Sequence, residues 1–363
     1  MRGGSGGGPL SAVAFGVSFW NRRSLAPLLS VGGGSVAFIA DFDAALRTCA
    51  ERKTPLYAWA SKLTPEREAA CAAACVDLIR VEDGFVRSAG LGAGLVAGAS
   101  YAFDRQGAYY DPTRPSDLET LLRERPISEA EAARGARLRA AILAADLTKY
   151  NLGGRAAPLH APAGARIVLV PGQVSDDAAV ANAPADWLGG EANINLALLK
   201  RARARNPKAF IVYKPHPDVE AGLRKGAIPA AQTLALADAI ATGADVGRLI
   251  DACDAVETYS SLTGFEALLR GKPVTAHGAP FYAGWGLTED LAPTPRRGRR
   301  RSLDEMLFTA LCLYTRHVHP MTLAPCQPEA LIEALAALKA DPRQRIKAAA
   351  LRRASWAGRK LGL

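Results

Sequence analysis

Four clusters of polar residues in this 363-residue chain have the types and spacing to do chemistry. Gln173, Asp176 and Asp177 follow the apolar run RIVLV, and Lys214, His216 and Pro217 follow AFIVY. Ser260, Ser261 and Thr263 follow AVETY, with Glu266 one turn further on. Glu82, Asp83, Arg87 and Ser88 come after LIRV. Of two adjacent carboxylates such as Asp176 and Asp177, one can serve as nucleophile or base while the other caps the next segment. Pro215 and Pro217 fix φ on either side of His216, and a pinned imidazole beside Lys214 suits an anionic ligand such as a phosphate. Hydroxyls at a helix start sit beside unpaired backbone N–H groups carrying partial positive charge, which together seat a phosphate. Glu266 then lies at the reach of a ribose. Taken locally, the serines read equally well as an ordinary N-cap, with Glu266 favoured there by the helix dipole alone.

Each cluster needs a strand that ends where it begins. Apolar strands are predicted at 13–19, 35–39, 55–59 and 78–81, alternating with helices at 25–29, 41–52 and 65–76. Helical patterns follow at 116–122 and 128–145, and then a stretch rich in glycine, proline and alanine at 153–162. The alternation restarts with strands at 165–170, 209–213, 255–259 and 274–276 and helices at 191–205, 234–241 and 265–269. Residues 302–315 and 328–358 read as closing helices. Such alternation means βαβ units, hence an α/β protein with two Rossmann-like parallel sheets. The organisation expected is a flexible glycine-rich start (1–11), an N-terminal domain (12–155), a C-terminal domain (163–325) and closing helices with a basic tail (326–363). In an open parallel sheet the carboxyl ends of the strands share one edge, and ligands bind outside it. The three second-half clusters therefore converge, and the first-half cluster faces them across a cleft. That convergence favours a ligand site over unrelated caps.

Composition removes several other classes. No apolar run reaches the ~18 residues needed to span a bilayer. The opening MRGGSGGG lacks the apolar core of a secretory signal. The six cysteines lack a histidine pattern and read as reduced core residues without a metal, which points to the cytoplasm. The net charge of +10 is concentrated in RRGRRR (296–301) and in residues 341–363, leaving a nearly neutral body. This argues against a nucleic-acid groove; it fits a basic edge for an anionic membrane surface or polyanion, or a solubilising tail. Asp41 and Asp43 open a helix and read as caps rather than metal ligands. The glycines from Gly90 to Gly94 lack the full dinucleotide fingerprint.

The stretches EDGFVRSAGLGAG, PGQVSDDA, YKPHPDVEAGLRKG, SSLTGFEALLRGKPV and PFYAGWGLTED, in this order, closely resemble the KpsC-type capsular polysaccharide proteins. Those are β-Kdo glycosyltransferases of Gram-negative bacteria, and the resemblance runs over residues 13–314. It implies the GT-B arrangement of two Rossmann-like domains. It also implies CMP-Kdo as donor, a lipid-linked oligo-Kdo acceptor, retention of configuration, and no metal or other cofactor. By the same resemblance, Lys214, His216 and Pro217 hold the nucleotide phosphate. Ser260, Ser261 and Thr263 complete that seat, and Glu266 meets the ribose. Asp176 or Asp177 is the nucleophile. Glu82, Asp83 and Arg87 face the acceptor or the Kdo carboxylate, and Ser88, Gln173, Tyr282 and Trp285 join the substrate contacts. The protein would be cytoplasmic, peripheral on the inner membrane beside other capsule assembly proteins. The alternatives are another GT-B enzyme such as a sugar-nucleotide 2-epimerase, or a non-catalytic module that binds capsule glycan.

Overall fold

The structure, a computed structural model, describes residues 10–88, 95–149, 151, 159–181, 183–341 and 343. The expectations for the glycine-rich start, for the Gly90–Gly94 run, for most of the 153–162 boundary and for the basic tail fall outside the described residues.

Five strands form in the first half: β1 (Leu10–Phe15), β2 (Ser35–Ile39), β3 (Leu56–Trp59), β4 (Leu78–Asp83) and β5 (Ser100–Asp104). Six follow in the second: β6 (Ile167–Pro171), β7 (Phe210–Lys214), β8 (Ala239–Ile240), β9 (Ala255–Thr258), β10 (Val274–Ala276) and β11 (Glu289–Asp290). The chain then adds β12 (Thr315–Val318) and β13 (Pro325–Cys326). The second sheet, ordered β11-β10-β9-β6-β7-β8, is parallel throughout. The first, ordered β13-β12-β5-β4-β3-β1-β2, is parallel from β2 to β4 and antiparallel beyond. Central strands β6 and β9 are buried on both faces, which is why they read as unbroken apolar runs.

Helix starts follow local capping chemistry. Asp41 accepts the Ala44 N–H at 2.8 Å, the cap expected of it. Ser128 with Glu131, and Ser302 with Glu305, make reciprocal capping boxes. Among the described residues no helix is long and apolar enough to cross a membrane.

Two expectations are corrected. Residues 315–325, assigned by sequence to the C-terminal domain, cross back instead, and β12 pairs antiparallel with β5 in the first sheet. The helix expected over 302–315 ends at Phe308, gives way to a wider turn over Thr309–Tyr314 and then to this strand. The second correction concerns RRGRRR, expected to be a basic edge for a membrane or polyanion. It is a strap between the two halves. Arg296 donates to Glu119 at 2.6 Å and to the Pro112 carbonyl at 2.8 Å. Buried Arg297 also donates to Glu119 at 2.9 Å and to the carbonyls of Pro280 and Ala283. Arg299 and Arg301 donate to the carbonyls of Leu122, Arg123, Glu124 and Arg125 at the end of the helix Asp117–Glu124. Guanidinium groups here satisfy the orphan carbonyls and the negative end of a helix.

A shared aromatic core fixes the halves near the cleft. Phe85 of the first half lies 4.6 Å from Phe281 of the second, ring centre to ring centre, and Phe281 lies 5.1 Å from Phe265.

Candidate active site

The carboxyl ends of β4, β6, β7 and β9 open into one cleft of about 1020 Å³ between the sheets. Asp176, Asp177, His216, Glu82, Asp83, Arg87, Gln173, Lys214, Pro217, Ser260, Ser261, Thr263 and Glu266 all line it. Ser88, Tyr282 and Trp285 do not, and their expected substrate contacts are corrected. All three are buried behind the wall. Ser88 accepts from Arg87 at 2.7 Å. Trp285 donates its indole N–H to the Phe281 carbonyl at 2.8 Å. Tyr282 donates to the Ser261 carbonyl at 2.6 Å, so it braces the helix start from beneath.

That helix, Leu262–Leu269, leaves β9 through a tightly bonded turn. Ser261 caps it by accepting the Thr263 N–H at 3.2 Å, and Thr258 accepts the Ser261 N–H at 3.1 Å. Gln173 clasps Ser260: its amide donates to the Ser260 hydroxyl at 3.0 Å and its carbonyl accepts the Ser260 N–H at 2.9 Å. The Ser260 hydroxyl donates in turn to the Ala179 carbonyl at 3.1 Å. The serine hydroxyls thus shape the turn, and the positive end of the helix is what faces the cleft. Close packing demands Gly264, since a Cβ there would stand 2.2 Å from the Tyr282 hydroxyl.

Beside this helix start, His216 caps the short helix Pro217–Glu220. Its Nδ1 accepts the Asp218 N–H at 3.1 Å. Nδ1 is therefore unprotonated, and the neutral ring carries its proton on Nε2. Burial, followed by the charges of Lys149, Lys214 and Arg224, lowers the His216 pKa to about 3. The imidazole is thus a neutral Nε2–H donor across the physiological range. Lys214 is committed to holding the loop, donating to the Pro215 carbonyl at 2.8 Å and to Glu220 at 2.7 Å.

Carboxylates enter from both walls. Asp176 is exposed and pairs with Arg224 at 3.2 Å. Asp177, also exposed, accepts the Ala179 N–H and lines the cleft, and its charge adds to the raised pKa values of Glu82 and Tyr110 in the opposite half. Burial and the adjacent Asp83 push Glu82 up to about 8, with Asp177 adding to the rise. Asp83 itself pairs with Arg87 at 2.6 Å. Glu82 is thus a buried carboxyl biased to hold a proton at the edge of the cleft, the kind of perturbed group that marks a functional site.

Sequence reasoning missed Lys149 and Tyr110, both of which line the cleft. No motif marks Lys149, which sits in the crossover between the halves. Its N–H donates to Glu266 at 2.7 Å, and its carbonyl accepts from the N–H groups of Arg87 at 3.1 Å and Ser88 at 3.3 Å. Glu266, expected at a ribose, makes this tie between the halves. Burial raises its pKa.

Comparison with known proteins agrees with this geometry. Residues 56–154 and 154–323 match the family described as capsule polysaccharide biosynthesis protein. The chain is 37% identical over 311 residues to the capsule polysaccharide modification protein LipA of Neisseria meningitidis, covering 85% of this chain and 43% of that protein. It is 44% identical over 247 residues to the lipopolysaccharide-processing protein LpsZ of Rhizobium meliloti, covering 67% of this chain and 54% of the relative. The chain therefore spans about half the length of these curated relatives. Among solved structures, the KpsC β-Kdo 2,7 transferase of Thermosulfurimonas dismutans superimposes with a TM-score of 0.71 at 32% identity, covering 91% of this chain and 99% of that one. The β-Kdo 2,4 transferase of the same organism's KpsC gives 0.75 at 28% identity, covering 91% and 98%. The fold is GT-B-like, as its two facing sheets already indicate.

Proposed function

The chain belongs to the capsule polysaccharide biosynthesis protein family, and from that premise we propose that it is a retaining β-Kdo transferase. It moves Kdo from CMP-Kdo to a lipid-linked Kdo acceptor. The observation that carries this reading is that a phosphate seat and carboxylates from both halves line one cleft. The seat is the His216 Nε2–H beside the helix start at Ser261; the carboxylates are Asp177 and Glu82.

In the first step the Asp177 carboxylate attacks the anomeric carbon of the donor. The bond from that carbon to the phosphate oxygen breaks, and CMP leaves with the electron pair. His216 and the helix terminus stabilise the charge that grows on the phosphate. In the second step an acceptor hydroxyl attacks the same carbon, the ester to Asp177 breaks, and Glu82 takes the hydroxyl proton. Two inversions give retention, as in retaining glycosidases. Asp176, held by Arg224, positions the loop that carries Asp177.

Two readouts test the proposal. The protein should release CMP from CMP-Kdo when a Kdo-terminated acceptor is supplied, and NMR of the product should show the β linkage. Release from UDP-sugars in place of CMP-Kdo, or an inverted product, would overturn it.

A further inference from the structure

A sugar acid of the Kdo class carries its carboxylate on the anomeric carbon, the atom that also bears the leaving phosphate. Any cation that reads this carboxylate must stand between the phosphate seat and the nucleophile. We propose that Lys149 is that cation and that it sets the preference for acidic over neutral donor sugars; this rests on the reading of the cleft as a CMP-Kdo site.

The placement of Lys149 supports the assignment. It lines the cleft on a turn bonded to both halves, to Arg87 and Ser88 on one side and Glu266 on the other. The turn is also bonded within itself. Thr148 donates its N–H to the Asn151 side chain at 2.8 Å, and Asn151 donates its own N–H to the Thr148 hydroxyl at 3.2 Å. The Asn151 amide then donates to the Ser88 carbonyl at 3.0 Å. From this point the Lys149 charge acts on Glu82 of the first half and on His216 and Glu266 of the second. The reacting carbon has to lie between those same groups. Arg87 pairs with Asp83 in the first half, and Lys214 with Glu220 and Arg224 with Asp176 in the second, so each of these three cations serves one wall. The bonds that pin the turn use the backbone of Lys149, so a change of side chain leaves them in place.

The test compares wild type with Lys149→Met and Lys149→Arg. CMP affinity is read by calorimetric titration, and kcat/KM for CMP-Kdo by CMP release. Loss of one charge-assisted contact to a carboxylate lowers kcat/KM by roughly ten- to hundredfold in Lys149→Met. CMP affinity and melting temperature stay within about twofold and about 2 °C of wild type, the range of a surface change. Lys149→Arg recovers part of the lost rate, because the charge is retained. Equal weakening of CMP and CMP-Kdo would assign Lys149 to the phosphate and overturn the proposal; so would no change in either. Failure of wild type to bind CMP would instead remove the underlying reading of the cleft, and is seen before any variant is made.

Discussion

His216 offers a prediction whose size follows from its hydrogen bonds. Nδ1 is occupied by the Asp218 N–H, so only Nε2–H is left to reach a ligand. Replacement by asparagine puts an acceptor where Nδ1 stood and keeps the cap, but no donor extends as far as Nε2. Replacement by alanine removes both. A hydrogen bond to a charged phosphate contributes about 1.5–3 kcal/mol, so both variants should bind CMP roughly ten- to 150-fold more weakly. Only alanine should also lose the cap, worth about 1 kcal/mol of stability. The pH dependence gives a second check. With its pKa lowered to about 3, His216 is uncharged from pH 7 to 9, and CMP, whose phosphate is fully ionised there, should bind with constant affinity. A cationic histidine would lose about tenfold in affinity for each pH unit above its pKa. Calorimetric titration at pH 7, 8 and 9 separates the two. An affinity that fell with pH in wild type and stayed level in His216→Asn would refute the neutral-donor account. Unchanged affinity in both variants would refute the seat itself.

The proposed role of Glu82 as base in the second step requires it to be deprotonated. With its pKa at about 8, transfer should rise with pH to a plateau above that value and fall away below it. Glu82→Gln should slow transfer by roughly 10²–10⁴-fold and abolish that limb of the pH–rate profile. Glu119→Leu strands the buried guanidinium of Arg297; a loss of about 3–5 kcal/mol, spread over the chain at roughly 2.1 cal/mol/K per residue, lowers the melting temperature by ~4–7 °C in calorimetry. Trp285→Phe should lower stability by ~1–3 kcal/mol in denaturant titration and leave the dissociation constant for CMP unchanged, since the indole lies behind the wall. Gly264→Ala drives a methyl against the Tyr282 hydroxyl, costs ~1–3 kcal/mol, and should weaken CMP binding because the helix start at Ser261 shifts.

The strands that carry the site were legible because β6, β7 and β9 are buried on both faces and read as continuous apolar runs, each stopped by polar residues. The parallel-sheet rule then placed residues ~40 apart on one edge, and the cleft lining agrees. What stayed hidden depends on contacts distant in sequence. Nothing local in TRHV says that β12 returns to pair with β5, whose partner residues lie more than 200 positions earlier. RRGRRR shows charge in the sequence, yet its function is set by the helix end and Glu119 it folds against. Tyr282 and Trp285 were placed among the substrate contacts by motif alone. Aromatic residues near a site more often pack than bind, and these two pack. Lys149 sits in no motif, and its position follows from backbone bonds to Arg87, Ser88 and Glu266.

The central claim is that Asp177 carries the sugar between donor and acceptor. It is tested most directly by mass spectrometry of the Glu82→Gln protein mixed with CMP-Kdo, in which the second step is slowed. The account predicts a mass increase of one Kdo residue on the peptide containing Asp177. A stoichiometric burst of CMP with that peptide unmodified would contradict it.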